Sequence, residues 1–587
     1  MSLQPEHFIF IYIGLPVIFG FILSFSHRMV SRYAFHIAFL IISILFASSI
    51  AWWLAGWNYQ SMWLKSDAIT RVMLFWTTFF AWIICLYAKG YFKEKTTAAL
   101  FYGLSLITLG ITYFTFLSDH LVLLAIGWGL LGLCLYLMVG MAGDCSKEAA
   151  KKTFIIVGGS DLFMIVGIVL LFHLTKSAQL SQIKVSLDLA LPIASFILIF
   201  IGAFAKAGVF PFHSWLPDAC ECSHVPVTAF LPLSLDKLLG IYLMLRLVGS
   251  VFVMNSVVVV CMMAVGCICI LVAVMMALVQ HNLKRLLGYH AVSQVGYMVL
   301  GLGTGTMIGM MGAMFHMINH TIYKTLLFLS GGMVEKSNHS ADLDRLGGLI
   351  KVLPITFSVM LIASMAISGI FPLNGYFSKH VVLHGIMYTQ KYYGINYWQI
   401  FWILASIGGI LTLSSFVKVI YALFIEKPCQ TIASIKENNF WMLLPMIILA
   451  LFCLTLGVMT ENFTNPMFLS SLSEKYTHLH FNLLEGFIYL IAYALISTGL
   501  VLLLKRHARS CQTIGIHLYE KVRNNKMLKN IYDWAESHYM DIYDIGRRGI
   551  IGASSILRSL HTGILPSYIF WFMLGTLVFV FYYFRFL

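Results

Sequence analysis

Long apolar runs recur along the whole chain, and their length constrains the fold more than any other sequence feature. Several reach the ~20 residues that a helix needs to cross a hydrocarbon core of ~30 Å, among them Phe35–Leu54, Leu121–Met141 and Leu191–Val209. Backbone polar groups find no water inside a bilayer, so these runs are predicted to be helices. The sequence therefore predicts an all-α polytopic membrane protein with about 14–16 transmembrane helices.

Composition supports the same class of protein. Hydrophobic residues make up 60% of the chain and charged residues only 11%, too few to cover a soluble core of this size. The net charge of +14 is attributed to the basic loops of a membrane protein and not to nucleic-acid binding. Cys220 and Cys222 form a single C-x-C in a predicted loop, which is weak evidence for a metal. No cofactor and no metal are predicted.

The chain divides into three predicted parts. Residues 1–504 are a transmembrane domain with short polar connections. Residues 505–565 alternate basic and apolar positions, with apolar residues at helical spacing, and predict an amphipathic segment on a membrane surface facing anionic lipid. Residues 566–587 predict a final membrane anchor.

Lys206 lies inside an apolar run and is soon followed by Pro211, in IFIGAFAKAGVFPFHSWLPDA (Ile199–Ala219). A lysine at bilayer depth costs at least ~2.5 kcal/mol, so it is expected to line a cavity or meet a partner. Proline interrupts helix hydrogen bonding, and broken helices beside ionisable groups form transporter sites. We predict such a site here, the alternative being a lysine that snorkels to the interface.

His316, His320 and Lys324 recur at every fourth position in MFHMINHTIYKTLLF (Met314–Phe328). They should line one helix face over ~12 Å. Imidazoles gain and lose protons near neutral pH. The pattern predicts a proton relay.

Lys379 follows Pro372 in SGIFPLNGYFSKHVVLHG (Ser368–Gly385), whereas Lys206 precedes Pro211. The reversed order is typical of two inverted-topology repeats, each with a broken helix. Asp161, Asp236 and Lys237 are further charges inside apolar spans and are candidates for the same path. Adjacent residues on a helix do not face each other, so Asp236 and Lys237 need separate partners.

These segments, in this order, resemble the antiporter-like subunit family of respiratory complex I. The similarity is strongest to its large distal subunit (subunit L or chain 5), with relatives in Mrp antiporters and membrane-bound hydrogenases. It spans about residues 60–425 and rests on these motifs: SDAITRVML (Ser66–Leu74), KKTFIIVGGSDL (Lys151–Leu162), KAGVFPFHSWLPDA (Lys206–Ala219), PVTAF (Pro226–Phe230), KRLLGYHAVSQVGYM (Lys284–Met298), FHMINHTIYKTLLFLSGG (Phe315–Gly332) and SGIFPLNGYFSK (Ser368–Lys379).

The resemblance implies roles for individual residues. Lys206 corresponds to the family's central lysine on a broken helix, and Lys379 to the outlet lysine on the second broken helix. His316, His320 and Lys324 correspond to the connecting relay. Asp161 matches a family acid, and the C-terminal segment resembles a lateral helix and anchor.

The chain departs from the family pattern at three places. The family glutamate that follows a tryptophan and pairs with the central lysine is replaced by Gly129. Pro232 stands where many members have a histidine, and His380 where an aspartate is common. We hypothesise that Asp236 supplies the displaced carboxylate.

The leading functional prediction is a proton-translocating subunit of a complex I-like or hydrogenase-linked assembly in a bacterial or archaeal cytoplasmic membrane. Its partners would be other membrane subunits, lipid and transported H⁺, with Na⁺ as an alternative ion. Two alternatives stay open, namely the proton-path subunit of a two-component inorganic-carbon uptake system and an Mrp-type Na⁺/H⁺ antiporter subunit. In each case the chain itself would carry no redox cofactor.

Overall fold

The computed structural model describes residues 5–426, 437, 439–460, 491, 495, 529, 530, 533, 541–560 and 563–586. These residues are almost entirely helical. The helices are α1 (Pro5–Phe25), α2 (His27–Val30), α3 (Ala34–Ala55), α4 (Ala68–Tyr91), α5 (Lys95–Leu117), α6 (Leu121–Val139), α7 (Asp144–Thr175), α8 (Ala190–Ala207), α9 (Trp215–Cys222), α10 (Val225–Phe230), α11 (Asp236–Arg246), α12 (Ser256–Leu278), α13 (Leu283–Gly303), α14 (Met307–Asn338), α15 (Pro354–Ser368), α16 (Asn374–Tyr393), α17 (Trp398–Ile420), α18 (Phe440–Val458), α19 (Ile542–Leu560) and α20 (Leu565–Phe586).

Among the described residues, 11 helices are long and apolar enough to cross a membrane. Two shorter apolar helices, Ile11–Phe25 and Pro354–Ser368, lie in the same described part of the chain. The predicted total of about 14–16 also includes runs outside the described residues. A π-helical segment, Leu231–Leu235, joins α10 to α11 within one span. Paired strands in the described part are limited to two short ladders, Tyr59–Gln60 with Lys65–Ser66 and Val185–Ser186 with Phe252–Val253. The helical membrane fold is confirmed.

The first broken helix joins α8 to α9. α8 ends at Ala207 because Gly208 takes a left-handed conformation (φ +74°), which residues with a Cβ adopt only at a cost. The N–H groups of Gly208 and Val209 then donate to carbonyls of the last α8 turn. The break thus begins before Pro211, the residue that the sequence pattern favours as its cause.

The second broken helix, α15–α16, is built in the same way. α15 ends at Ser368, and Gly369 is left-handed (φ +80°). The N–H groups of Gly369 and Ile370 donate to the last α15 carbonyls, at 3.0 and 3.1 Å. AGVFP (residues 207–211) and SGIFP (residues 368–372) therefore adopt the same cap.

The two broken helices run in opposite directions, because their second halves end near opposite ends of α13. At the start of α13, Arg285 donates to Glu221 of α9 at 2.9 Å. Beyond its other end, Tyr393 of α16 donates to the carbonyl of Gly305 at 3.2 Å. The second halves thus leave by opposite ends of the bundle, as inverted repeats require.

Cys220 lies inside α9 and not in a loop. Cys222 lies in the last turn of the same helix, so the loop prediction is wrong for both residues. Cys222 forms a disulfide with Cys145 of α7, with the two Cα atoms 5.5 Å apart. Lys152 of α7 also pairs with Asp218 of α9 at 2.7 Å. These links fasten the second half of the first broken helix to α7.

Gly375 provides a test of the second break. A Cβ at this position would overlap the backbone carbonyl oxygen of Ala366, so Gly375→Ala must push α15 and α16 apart. We expect a loss of about 1–3 kcal/mol in unfolding free energy. Gly159→Ala is the matched control, since nothing lies within 4 Å of a Cβ there and alanine favours helix by about 1 kcal/mol. Thermal unfolding in detergent should separate the two, and equal melting temperatures would contradict this packing.

Residues 526–587 form a second compact unit. In α19 the polar face carries Arg547, Arg548 and Arg558, while Ile545 and Ile556 belong to an apolar face. α20 begins at Leu565 and has the length and hydropathy of a span. Most of the predicted surface segment before residue 541 lies outside the described residues. The three-part division stays a prediction.

Candidate ion-translocation site

Lys206 occupies the last turn of α8 and is fully buried, with 0% of its surface exposed. Its Nζ donates to the backbone carbonyl of Trp128 on α6 at 2.7 Å and lies 4.6 Å from the centroid of that indole. No carboxylate forms an ion pair with it among the described residues. The ammonium is therefore held by a carbonyl and an aromatic face.

Two acids nevertheless act on Lys206 by charge, Asp161 of α7 and Asp236 of α11. Asp161 accepts a hydrogen bond from Trp128 Nε1 at 2.9 Å. Asp236 is completely buried, and neither of its oxygens has a hydrogen-bond partner among the described residues. An unpartnered buried carboxylate is costly, which marks Asp236 as a functional candidate.

Lys237 follows Asp236 in sequence, but its side chain contacts the C-terminus of α8. Its Nζ donates to the carbonyl of Ala207, at the C-terminus of α8, and a Cβ on Gly208 would lie 2.9 Å from this Nζ. Helix C-termini carry partial negative charge, so the lysine stabilises the broken end. Lys237 therefore has a partner of its own at the end of α8, whereas the hydrogen-bond partner predicted for Asp236 is not found among the described residues.

Gly129 lies on the outward face of α6. Nothing is found within 4 Å of a Cβ built on this residue. Trp128, by contrast, is buried with 1% exposure and touches both Lys206 and Asp161. The glycine therefore leaves no hole in the protein interior, and the inward contacts of α6 are made by the tryptophan.

His316, His320 and Lys324 lie on α14 and are all fully buried. His316 Nδ1 is 2.9 Å from Ser378 Oγ of α16. Both ring nitrogens of His320, and Nζ of Lys324, have no hydrogen-bond partner among the described residues. Buried polar groups are rarely left without a hydrogen-bond partner. A bound water or a transferred proton could supply that partner.

Lys379 of α16 reproduces the arrangement of Lys237. Its Nζ donates to the Ile367 carbonyl at the C-terminus of α15 at 2.7 Å, and a Cβ on Gly369 would lie 3.7 Å from this Nζ. The Nζ also lies 4.9 Å from the ring centroid of Tyr297. Each broken helix therefore has a lysine at its break, Lys237 in the first repeat and Lys379 in the second.

The predicted residues form one chain of electrostatic neighbours, which we call the basic row. Charge acts between Asp236 and Lys237, between Lys237 and Lys324, between Lys324 and His320, between His320 and His316, and between His316 and Lys379. The row links both broken helices through α14. Within the described residues no group of three His, Cys, Asp or Glu side chains could hold a metal.

His290 of α13 is a further candidate, one that the sequence reasoning missed. It is fully buried, its Nε2 lies 2.7 Å from Ser415 Oγ, and Nδ1 has no partner in the described part. The charges of Lys324, Lys379 and Lys418 all act on it. The sequence feature that could have identified His290 is its position inside the motif KRLLGYHAVSQVGYM.

His380 contacts aromatic neighbours on its own helix. Its ring stacks on Tyr376, with centroids 5.7 Å apart, and lies 4.3 Å from the ring of His384. These three residues are at i, i+4 and i+8 on α16, the spacing that places them on one helix face.

The same elements carry a match to known proteins. Residues 118–408, which contain the Trp128, Lys206 and Lys324 contacts and both breaks, match the family described as NADH:quinone oxidoreductase/Mrp antiporter, TM. Subunit L of F(420)H(2) dehydrogenase from Methanosarcina mazei is 30% identical over 453 residues, covering 71% of this chain and 66% of that protein. The chain belongs to the antiporter-like membrane subunit family.

Other members of the family extend the comparison. Chloroplastic NAD(P)H-quinone oxidoreductase subunit 5 of Chaetosphaeridium globosum is also 30% identical, over 71% of this chain and 66% of that protein. A chain of the archaeal membrane-bound sulfane sulfur reductase has the same fold, with a TM-score of 0.78 and 19% identity over 97% of this chain and 100% of that one. The chain thus spans 66% of the length of these two curated relatives.

Proposed function

We propose that this chain translocates protons as a membrane subunit of a multisubunit complex. The observation that carries the proposal is the basic row, in which the buried Lys237 and Lys379 contact the two helix breaks and Lys324, His320 and His316 of α14 follow each other between them. Charged groups at membrane depth are costly and mark ion pathways. Two curated relatives at 30% identity are named as subunits of oxidoreductases, which supports a redox-driven partner outside this chain, whereas others are named as subunits of Na⁺/H⁺ antiporters.

The chemistry of the row favours H⁺ over Na⁺. Hard cations are bound by several oxygen ligands, whereas the row offers ammonium and imidazole groups that exchange protons. The row itself contains one acid, Asp236, which together with Asp161 acts on Lys206. We therefore expect flux through the assembled complex to continue when Na⁺ is replaced by choline.

Charge asymmetry supports an orientation. Lys336, near the end of α14, donates to the carbonyl of Tyr91 at the end of α4 at 3.0 Å. The N–H of Leu283, at the start of α13, donates to the carbonyl of Ala341, which follows α14. These contacts bring the ends of α4 and α14 and the start of α13 to the same end of the bundle. This basic end carries Lys93, Lys95, Lys147, Lys151, Lys284, Arg285, Lys336, Arg345 and Lys351. Basic loops face the cytoplasm. We propose that this end faces the cytoplasm and that the membrane is a bacterial or archaeal one, since one relative comes from the archaeon Methanosarcina mazei.

Labelling with a membrane-impermeant maleimide tests the orientation. In a background with Cys261→Ser, which removes an exposed thiol, Lys147→Cys should react in everted vesicles and not in right-side-out ones. Lys391→Cys at the opposite end is the matched probe and should show the reverse. The same pattern at both positions would contradict the orientation.

Lys379→Met tests the function itself. The substitution keeps the length of the side chain and removes the ammonium at the second break, so proton flux in proteoliposomes containing the whole complex should fall about tenfold or more. Lys336→Met is the control, because Lys336 holds helix-end carbonyls of α4 outside the row. Proton flux that is equal in wild type and Lys379→Met would overturn the proposal.

A further inference from the structure

Trp128 binds both a buried acid and a buried base of the site. Its indole N–H donates to Asp161 of α7 at 2.9 Å. Its backbone carbonyl accepts from Lys206 of α8 at 2.7 Å. The side chain is buried among these helices with 1% exposure. One residue of α6 thus fixes the positions of two opposite charges that form no ion pair with each other in the described part.

Small residues make this double contact possible. The Trp128 carbonyl is inside a helix, where it already faces the N–H of residue 132, and a carbonyl has a second lone pair for an ammonium donor. Gly132 leaves space beside it, since a Cβ there would lie 3.6 Å from Asp161 Oδ2. A longer side chain at 132 would meet the carboxylate.

We infer that Trp128 is a positioning residue that couples Asp161 to Lys206 and stands in for a direct acid–lysine pair, which Gly129 cannot provide. The inference rests on the proposed function. A change in the charge of Lys206 changes its contacts with the carbonyl and the indole face of Trp128. The same indole donates a hydrogen bond to Asp161. The other titratable groups acting on Lys206 are Asp236 of α11 and Cys134 of α6, and neither is hydrogen-bonded to Trp128.

Trp128→Phe separates this role from simple packing, because it keeps an aromatic ring and the backbone carbonyl while removing the N–H donor. Trp76→Phe is the matched control: Trp76 is equally buried at 1%, and its Nε1 has no hydrogen-bond partner among the described residues. In the assembled complex, Trp128→Phe should lower proton flux about tenfold and Trp76→Phe should leave it unchanged.

A double-mutant cycle with Asp161→Asn completes the test. If Trp128 acts through Asp161, Trp128→Phe has little further effect on flux in the Asp161→Asn background. The same tenfold fall in both backgrounds would show a packing role and overturn the inference. So would unchanged flux in the single Trp128→Phe variant of an active complex.

Infrared difference spectroscopy on acidification provides a readout that does not need flux. The carboxyl band that disappears in Asp161→Asn belongs to Asp161, and it should shift in Trp128→Phe but not in Trp76→Phe. A shifted band in a complex that never moves protons would refute the proposed function and leave the coupling intact. An unshifted band would refute the coupling alone.

Discussion

Lys206→Met is expected to abolish proton flux through the complex almost completely, by about a hundredfold or more. The ammonium of Lys206 contacts α6 directly, and both Asp161 and Asp236 act on its charge. Methionine fills the same volume but cannot carry a proton. It also leaves the Trp128 carbonyl without its ammonium donor. The measurement is the initial rate of acidification in proteoliposomes containing the whole complex.

Lys418→Met is the appropriate control for the loss of a buried lysine as such. Lys418 is nearly as buried, and its Nζ donates to the carbonyls of Leu278 and Gln280 at the end of α12. We expect it to lower stability while flux per assembled complex falls far less than in Lys206→Met. If the two variants lost flux equally, the loss would reflect damaged packing and not a broken path.

The membrane fold was predictable because one physical constraint decides it. A run of apolar residues that is as long as a bilayer is thick has few alternatives to a membrane-spanning helix. Accordingly, α3, α6 and α8 begin and end within a few residues of the predicted runs. The positions of the breaks were harder to predict. Pro211 was the visible signal, but the left-handed Gly208 ends α8 first.

The site was predictable in part. The spacing of His316, His320 and Lys324 is local, so a helix places them on one face whatever surrounds it. The contacts of Lys237 with the end of α8, and of Trp128 with Asp161, join residues about 30 positions apart. No local sequence pattern predicts such contacts, because they depend on how the helices pack against each other.

The structure sharpens the hypothesis of a displaced carboxylate. The sequence pointed to Asp236 alone, and it did not indicate that Asp161 would be tied to Trp128. Two acids act on Lys206, and of these two Asp236 has no hydrogen bond in the described residues. Asp161, by contrast, accepts the indole N–H of Trp128. Their roles should therefore differ.

Asp67 shows what a structural acid looks like in the same protein. Both of its oxygens accept from Arg246 at 2.6 Å, and it caps α4 by accepting from Thr70 N–H. Burial alone would raise the pKa of Asp67, but the hydrogen bonds and charge of Arg246 hold it well below its ordinary value. The stability it confers is thus complete above pH ~4, the unfolded value, and is lost as the pH falls further.

Asparagine at each of these two acids, Asp236 and Asp67, should give opposite results. Asp236→Asn should lower proton flux about tenfold or more, since a neutral amide cannot exchange a proton with Lys206 or Lys237. It should leave thermal stability unchanged or slightly higher, because a buried charge without hydrogen bonds is removed. Asp67→Asn should lower the unfolding free energy by about 3 kcal/mol while flux per folded complex stays near that of wild type.

This pair of variants distinguishes a functional from a structural Asp236, and each outcome has a physical meaning. Loss of flux with intact melting would establish that the carboxylate takes part in proton transfer. Unchanged flux in Asp236→Asn would leave Asp161, held by Trp128, as the acid that serves Lys206. A large loss of stability in Asp236→Asn would instead mean that Lys237 needs its neighbour's charge to stay at the end of α8, since the charges of the two residues act on each other.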